Sequence, residues 1–385
     1  MKRAHHYISG IAAVFLLSAA SPIKAAGPEF QPRLPSESDT GRWFSAEYLY
    51  WSGKGQGSPV LATSSPLGTP QARAGILPSP TTTSLFRVGD TTDSSASGAR
   101  LRFGFWSDAA RTRGWEGSVF GISLDNTVFA ASAGDYPILA RPFLNTATGQ
   151  QDALLLTYPG IVSGRIDIRE TSRPMGVDLV LHKEICPACS TGRVYGLIGY
   201  RYLRLAEKLD VSTHQLGLSP LIAGFTFDAT DRFATTNNFH GLDLGLKGDI
   251  VKGPWMLTWQ AKVAVGRVFS KAQIHGATTI TPTVGSSSTQ SGGLLAQPSN
   301  IGTHRKDRIA LAPELAAHLS YRINLNTRVF AGYQLTYLSN IVRPEDIIDT
   351  TINLSQPGTP VRPSYTARTS DYWMQGINAG IAFDF

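Results

Sequence analysis

"GINAGIAFDF" (Gly376–Phe385) closes the chain. Ile377, Ala379, Ile381, Phe383 and Phe385 alternate with Asn378, Gly380, Ala382 and Asp384. Alternation with period two marks a β-strand whose two faces meet different surroundings. A strand at a chain end frays unless a neighbour holds it. The stretch therefore raises the question of its partner.

The same alternation recurs upstream. "RWFSAEYLYW" (42–51) sets Phe44, Ala46, Tyr48 and Tyr50 on one face, and "GARLRFGFW" (98–106) sets Leu101, Phe103 and Phe105 against Arg100 and Arg102. "GRVYGLIGYRYLRL" (192–205), "HGLDLGLKGDI" (240–250), "PWMLTWQAKVAVG" (254–266), "RIALAPELAAHLSY" (308–321) and "TRVFAGYQLTYL" (327–338) read the same way. "GRIDIRETSRPMGVDLVLHK" (164–183) carries charges on both phases, which predicts a phase switch at a bulge near Pro174.

Composition narrows the class. Hydrophobic residues make up 42% and charged ones 16%, too apolar for a chain kept disordered by repulsion. The net charge of +7 includes Lys2, Arg3 and Lys24 of the leader, and the remaining basic residues form no stripe or nucleic-acid motif. Nucleic acid is not an expected partner. "MKRAHHYISGIAAVFLLSAASPIKAAG" has a basic start, a short apolar run and small residues. It predicts a cleaved secretory signal over 1–25, followed by a periplasmic segment over 26–41. No later run reaches the roughly 18 apolar residues of a spanning helix. A membrane-embedded mature chain must then satisfy every backbone group as a closed β-barrel over 42–385.

The connectors support that reading. They fall at 52–97, 107–113, 131–163, 184–191, 215–221, 250–254, 276–304, 322–326 and 342–369, alternately long and short apart from 215–221. Outer-membrane barrels combine short periplasmic turns with long extracellular loops. Structureless loops this long argue against a compact soluble sandwich. The segments flanking 215–221 exceed the roughly 9–11 residues needed to span a bilayer, so they read as one tall hairpin. The fold expected is an all-β transmembrane antiparallel barrel of about ten strands, with twelve if that hairpin breaks. In it, the closing strand pairs with "RWFSAEYLYW".

Several stretches resemble the putative beta-barrel porin family, type seven. They are "FSAEYLYWSGKGQGSPVLATSSP" (44–66), "ILARPF" (138–143), "GYRYLRLAEKL" (199–209), "GGLLAQPSNIG" (292–302), "IALAPEL" (309–315), "IVRPEDIID" (341–349) and "DYWMQGINAGIAFDF" (371–385). The resemblance implies an outer-membrane barrel and names no substrate. The closing strand is similar to the signal read by the bacterial barrel-assembly machinery, with Ile381, Phe383 and Phe385 as its bearing residues. That machinery during insertion and outer-membrane lipid are the partners expected.

The inward phase carries Glu47, Arg100, Arg102, Glu116, Arg165, Asp167, Arg169, Asp178, Arg193, Arg201, Asp243, Lys247, Lys262, Glu314 and Arg328. Both signs are present. The set reads either as an ion-selective constriction or as a pairing network that fills a narrow lumen. Cys186 and Cys189 in "CPAC" read as a local disulfide in a turn, since neither a redox helix nor further zinc ligands accompany them. His214, His240 and Asp243 could furnish a catalytic rim, but no nucleophile motif accompanies them. The functions expected are a narrow passive pore or a structural surface barrel, with adhesion through external loops as the alternative and an outer-membrane barrel enzyme as a lesser one. No catalysis, cofactor or metal is expected.

Overall fold

The computed structural model describes residues 41–385 apart from 55–57, 90–94, 190–191 and 356–358, and leaves aside the side chains of 54, 124–127 and 187–189. The leader expected over 1–25 lies outside the described residues, as does the segment expected over 26–41 except for Gly41. In chain order the strands are β1 (Arg42–Lys54), β2 (Val60–Ser64), β3 (Thr83–Arg87), β4 (Ser95–Trp106), β5 (Arg113–Ser132), β6 (Leu139–Asn145), β7 (Gln150–Thr157) and β8 (Val162–Cys189). There follow β9 (Gly192–Gly217), β10 (Thr226–Lys252), β11 (Trp255–Thr281), β12 (Ser288–Ser291), β13 (Gly302–Arg322), β14 (Thr327–Ile341), β15 (Thr351–Ile352) and β16 (Ser370–Asp384).

Ten of these form a ring in the order β10-β9-β8-β5-β4-β1-β16-β14-β13-β11, and β11 pairs back onto β10. Every pairing in the ring is antiparallel. The closing strand is held on both sides. Tyr48 of β1 and Ala331 of β14 both stand opposite Ala379. Arg42 and Phe385 exchange both backbone hydrogen bonds at 3.0 Å, which ties the last residue to β1. The turn at 218–225 joins β9 to β10 as one tall hairpin, which fixes the count at ten.

Alternation sorts the side chains. Tyr48, Tyr50, Leu101, Phe103, Leu179, Ile198, Leu242, Leu244, Val263, Leu311, Leu315 and Ile377 are exposed on the outside, while most of their strand neighbours are buried and the rest half-buried. The result is a continuous apolar belt of the kind that faces lipid. A charge there should be costly: Leu244→Arg should destabilise the inserted barrel by about 2–4 kcal/mol near the midplane. Urea unfolding from bilayers measures this, and an unchanged midpoint would place the belt elsewhere.

One phase assignment is corrected. Arg165, Asp167 and Arg169 point outward and are exposed, while Ile166 and Ile168 are fully buried. β8 keeps one phase from Val162 to His182 and pairs with β9 without a shift through Pro174. The register shift lies in β5, between Leu124 and Thr127, on the neighbouring strand. Between Gly121 and Leu124, where the register is still unchanged, the β5 ladder passes over Pro174, which has no N–H to offer.

β8, β9, β10 and β11 hold 28, 26, 27 and 27 residues, far more than a bilayer requires. Their upper halves rise beyond the belt and carry a second layer. Strands β15-β6-β2-β3, with β7 on β6, make a five-stranded sheet drawn from three of the long loops. Its apolar residues Leu61, Leu139, Phe143, Leu156 and Ile352 join Ile166, Ile168, Leu209, Val211, Phe233 and Ile274 of the tall strands in one buried core. The fourth long loop adds Leu294, Leu295 and Ala296. The long loops therefore form a cap over the barrel mouth.

Candidate functional site

The lumen is filled in layers. Nearest the short turns, Arg328 meets Asp384 at 3.2 Å and stands apart from the remaining charges. Glu116 takes Lys247 at 3.0 Å and His182 at 3.3 Å. Glu47 on β1 faces Arg102 at 3.1 Å and Arg100 at 3.6 Å, both from β4, and accepts from Asn378 of the closing strand at 2.8 Å.

The centre is Arg201 on β9. Its guanidinium touches Asp178 at 2.8 Å, Glu314 at 3.1 Å and Asp243 at 3.2 Å, contributed by β8, β13 and β10. Lys262 on β11 reaches the same three carboxylates at 3.4, 3.5 and 3.1 Å. Two cations are thus shared among three acids with almost no exposure. The free space among Arg100, Arg102, Glu116, Asp178, Lys262 and Glu314 is about 10 Å³. That is room for about one water.

Of the sequence-derived lumen set, Glu47, Arg100 and Arg102 form one group, and Asp243, Lys262 and Glu314 another around Arg201. Glu116 lies beside them, and Arg328 does not reach them. Arg193 pairs with Glu184 at 3.8 Å near the short-turn end. Cys186 is disulfide-bonded, and the side chain of Cys189 lies outside the described residues.

Above the charges the lumen turns apolar. Arg100 lies between Trp51 and Phe120, 5.2 Å from each ring. Over it pack Ile122, Leu203, Leu205, Phe239, Val268, Leu338 and Met374. A Cβ at Gly176 would strike the Phe120 ring, so this layer needs glycine there.

Two buried ion pairs fasten the cap to the wall. Arg343 makes a two-bond fork to Glu207 of β9 at 2.9 and 2.7 Å, and reaches Glu345 at 2.7 Å. Asp231 of β10 binds Arg141 of β6 at 2.7 Å and accepts the amides of Leu294, Leu295 and Ala296 at 3.3, 3.0 and 2.8 Å. Sequence reading missed Glu207, Asp231, Arg141 and Arg343. The stretches "ILARPF", "GYRYLRLAEKL", "GGLLAQPSNIG" and "IVRPEDIID" did contain three of them and the amides.

Glu170 of β8 accepts from the Gly89 amide at 3.2 Å, under the same cap. Burial, against that single amide bond, pushes its carboxyl up to about 7. An acid raised in the folded state favours the docked cap below its unfolded value, near 4.5, and loses that advantage as pH rises through 7. Exchange of the Gly89 amide, corrected for intrinsic rate, should therefore be at least about tenfold faster at pH 8 than at pH 5. Equal protection would show that Glu170 does not titrate with docking.

His214, His240 and Asp243 do not assemble. His214 pairs with Asp228 at 2.7 Å on the outer wall, and His240 lies against Tyr200 and Tyr202 there, whereas Asp243 is inside. Among the described residues no group of three His, Cys, Asp or Glu is placed to hold a metal ion.

A closed ten-stranded antiparallel ring with an apolar outer belt and a polar, filled interior defines an outer-membrane β-barrel. The chain belongs to the family described as Putative beta barrel porin-7 (BBP7), whose model matches residues 43–385. Among solved structures it is similar to the outer membrane protease OmpT of Escherichia coli, at 11% identity over 90% of this chain and 97% of that one, with a TM-score of 0.42. It is also similar to the toluene transporter TodX of Pseudomonas putida, at 13% identity over 89% of each chain, with a TM-score of 0.25. No curated protein matches the chain.

Proposed function

We propose that the protein is a sealed structural barrel of the outer membrane, which presents the cap at the cell surface and conducts little or nothing at rest. The observation that carries this reading is the ion cluster of Arg201 and Lys262 across the lumen, beside which the cavity among Arg100, Arg102, Glu116, Asp178, Lys262 and Glu314 measures about 10 Å³, beneath an apolar layer. An ion-selective constriction needs charges that face water and an open path, whereas here each acid of the cluster has a cation partner. Secretion by a cleaved signal, delivery to the outer membrane and insertion through the barrel-assembly machinery reading Ile381, Phe383 and Phe385 belong to the same proposal. No catalytic role is proposed.

Planar-bilayer recording of the purified, folded barrel tests it. The result expected is a silent bilayer or brief small openings. A large, steady conductance, reproducible and reversed in selectivity by Glu47→Lys, would overturn the sealed barrel and establish a charged pore.

A further inference from the structure

The outer wall changes character where the tall strands leave the belt. On β8 the outward series Leu179, Val177, Met175 gives way to Arg173, and on β9 Ile198, Tyr200, Tyr202 gives way to Arg204. Arg173 stands opposite Ala206, Ala206 opposite Thr236, Thr236 opposite Lys271, and Lys271 opposite Arg305. One cross-strand row thus runs over five strands with basic residues at three of its positions. Arg204 sits two residues from Ala206 on the same face, and Arg169 four residues beyond Arg173.

These five side chains differ from the other charges of that wall. Lys208 and Arg232 share Asp210 at 2.5 and 2.6 Å, Arg165 meets Asp167 at 3.6 Å, and Arg267 meets Asp307 at 3.5 Å. Among the described residues, Arg169, Arg173, Arg204, Lys271 and Arg305 have no side-chain partner. On the opposite rim, tyrosines and Asp371 have partners, Asp371 accepting from the Asn340 amide at 3.2 Å. There Tyr50 donates to Ser95 at 2.7 Å, Tyr333 donates to Gln375 at 2.6 Å, and Tyr48 bonds with Ser97 at 2.7 Å. Beside the basic row, a groove of about 610 Å³ opens on the outer wall, lined by polar groups of Arg169, Lys208, Asp210, Ser212, Thr230 and Arg232 and also by Asp167, Val128 and Ala277.

Unpaired guanidinium and ammonium groups at the edge of an apolar belt lie where lipid phosphates lie. Arginine forks fit phosphate oxygens with two bonds each. Cations near a lipid surface contribute about a factor of five each to anion binding. The Ser212 and Thr230 hydroxyls and the paired charges of the groove offer hydrogen bonds to sugar hydroxyls. We propose that this face holds the phosphate-bearing sugar headgroup of a glycolipid in the surrounding leaflet, with phosphates on the Arg173–Arg305 row and sugars in the groove. The inference rests on the membrane placement proposed above.

The test uses the full-length barrel in nanodiscs of phosphatidylcholine doped with a diphosphorylated lipid A, followed by dilution into detergent and native mass spectrometry. The unmodified barrel should retain the glycolipid. A variant carrying Arg173→Ser, Arg204→Ser, Lys271→Ser and Arg305→Ser should lose at least about tenfold of that retention. It should fold normally, because the four side chains make no partner contacts. A variant of the other rim, Ser97→Ala with Gln375→Ala, should retain it. Equal retention by the fourfold variant, equal retention of the dephosphorylated glycolipid, or binding of inorganic phosphate with no lipid retained would each overturn the site. A chain that never enters the nanodisc fails the membrane placement instead, which keeps the two failures apart.

Discussion

Arg201→Met should lower the unfolding free energy of the inserted barrel by about 3–5 kcal/mol, the usual cost of breaking a buried pair by removing one partner. The reason is local. Arg201 holds Asp178, Asp243 and Glu314 together at 2.8–3.2 Å. With it gone, Lys262 alone faces three buried carboxylates at 3.1–3.5 Å. Methionine keeps the length and some of the volume, so the loss measured is mainly electrostatic. A combined change that removes Arg201 and its acids together should recover part of the stability, since a well-packed apolar replacement of an ion cluster is often neutral. Urea unfolding in bilayers, read with the shift in gel migration between unboiled and boiled samples, supplies the numbers. A midpoint unchanged by Arg201→Met would mean that water already screens the cluster, and the sealed lumen would fall with it.

Asp231→Ala should release the cap while leaving the ring intact. It strips Arg141 of its carboxylate and frees three loop amides at once. An uncompensated buried guanidinium again costs about 3–5 kcal/mol, here confined to the cap core. The expected result is rapid amide exchange and protease cleavage within 282–301 and around Leu139–Asn145, with the heat-dependent gel shift preserved. Conductance should stay low, because the Arg201 cluster and the apolar layer above it still close the lumen. Protection of 282–301 equal to that of the unmodified barrel would show that the cap is fastened elsewhere.

The ring was readable in the sequence because its signal is local. Leu101 and Arg100, or Leu244 and Asp243, declare their faces by alternation alone, and the first and last strands of the ring complement each other across Tyr48 and Ala379. The misplacement of Arg165, Asp167 and Arg169 has a definite cause. Within the belt, apolar residues face out and charges face in. Once β8 rises past Met175 the outside is water and the inside is the cap core, so the rule inverts and Ile166 and Ile168 turn inward. The strand does not switch phase; its surroundings do. The cap itself was hidden for another reason. Its strands are five to eight residues long, apart from the two-residue β15. Its fastenings join residues as far apart as Arg343 and Glu207 or Arg141 and Asp231. No window of sequence shows such pairs.

The woven cap reverses the usual advice about where such a barrel can be modified. In most barrels the long loops are the places to graft an epitope or a tag, because exposed loop tips tolerate added chain. Here the segments holding Val60–Ser64, Leu139–Asn145, Leu294–Ala296 and Thr351–Ile352 are core, and a graft in any of them would separate a strand from its neighbour. The tip of the tall hairpin is free of that duty. Leu221 there is 93% exposed and joins neither core, which makes the 218–225 turn the natural handle for labelling, display or cross-linking on an intact cell.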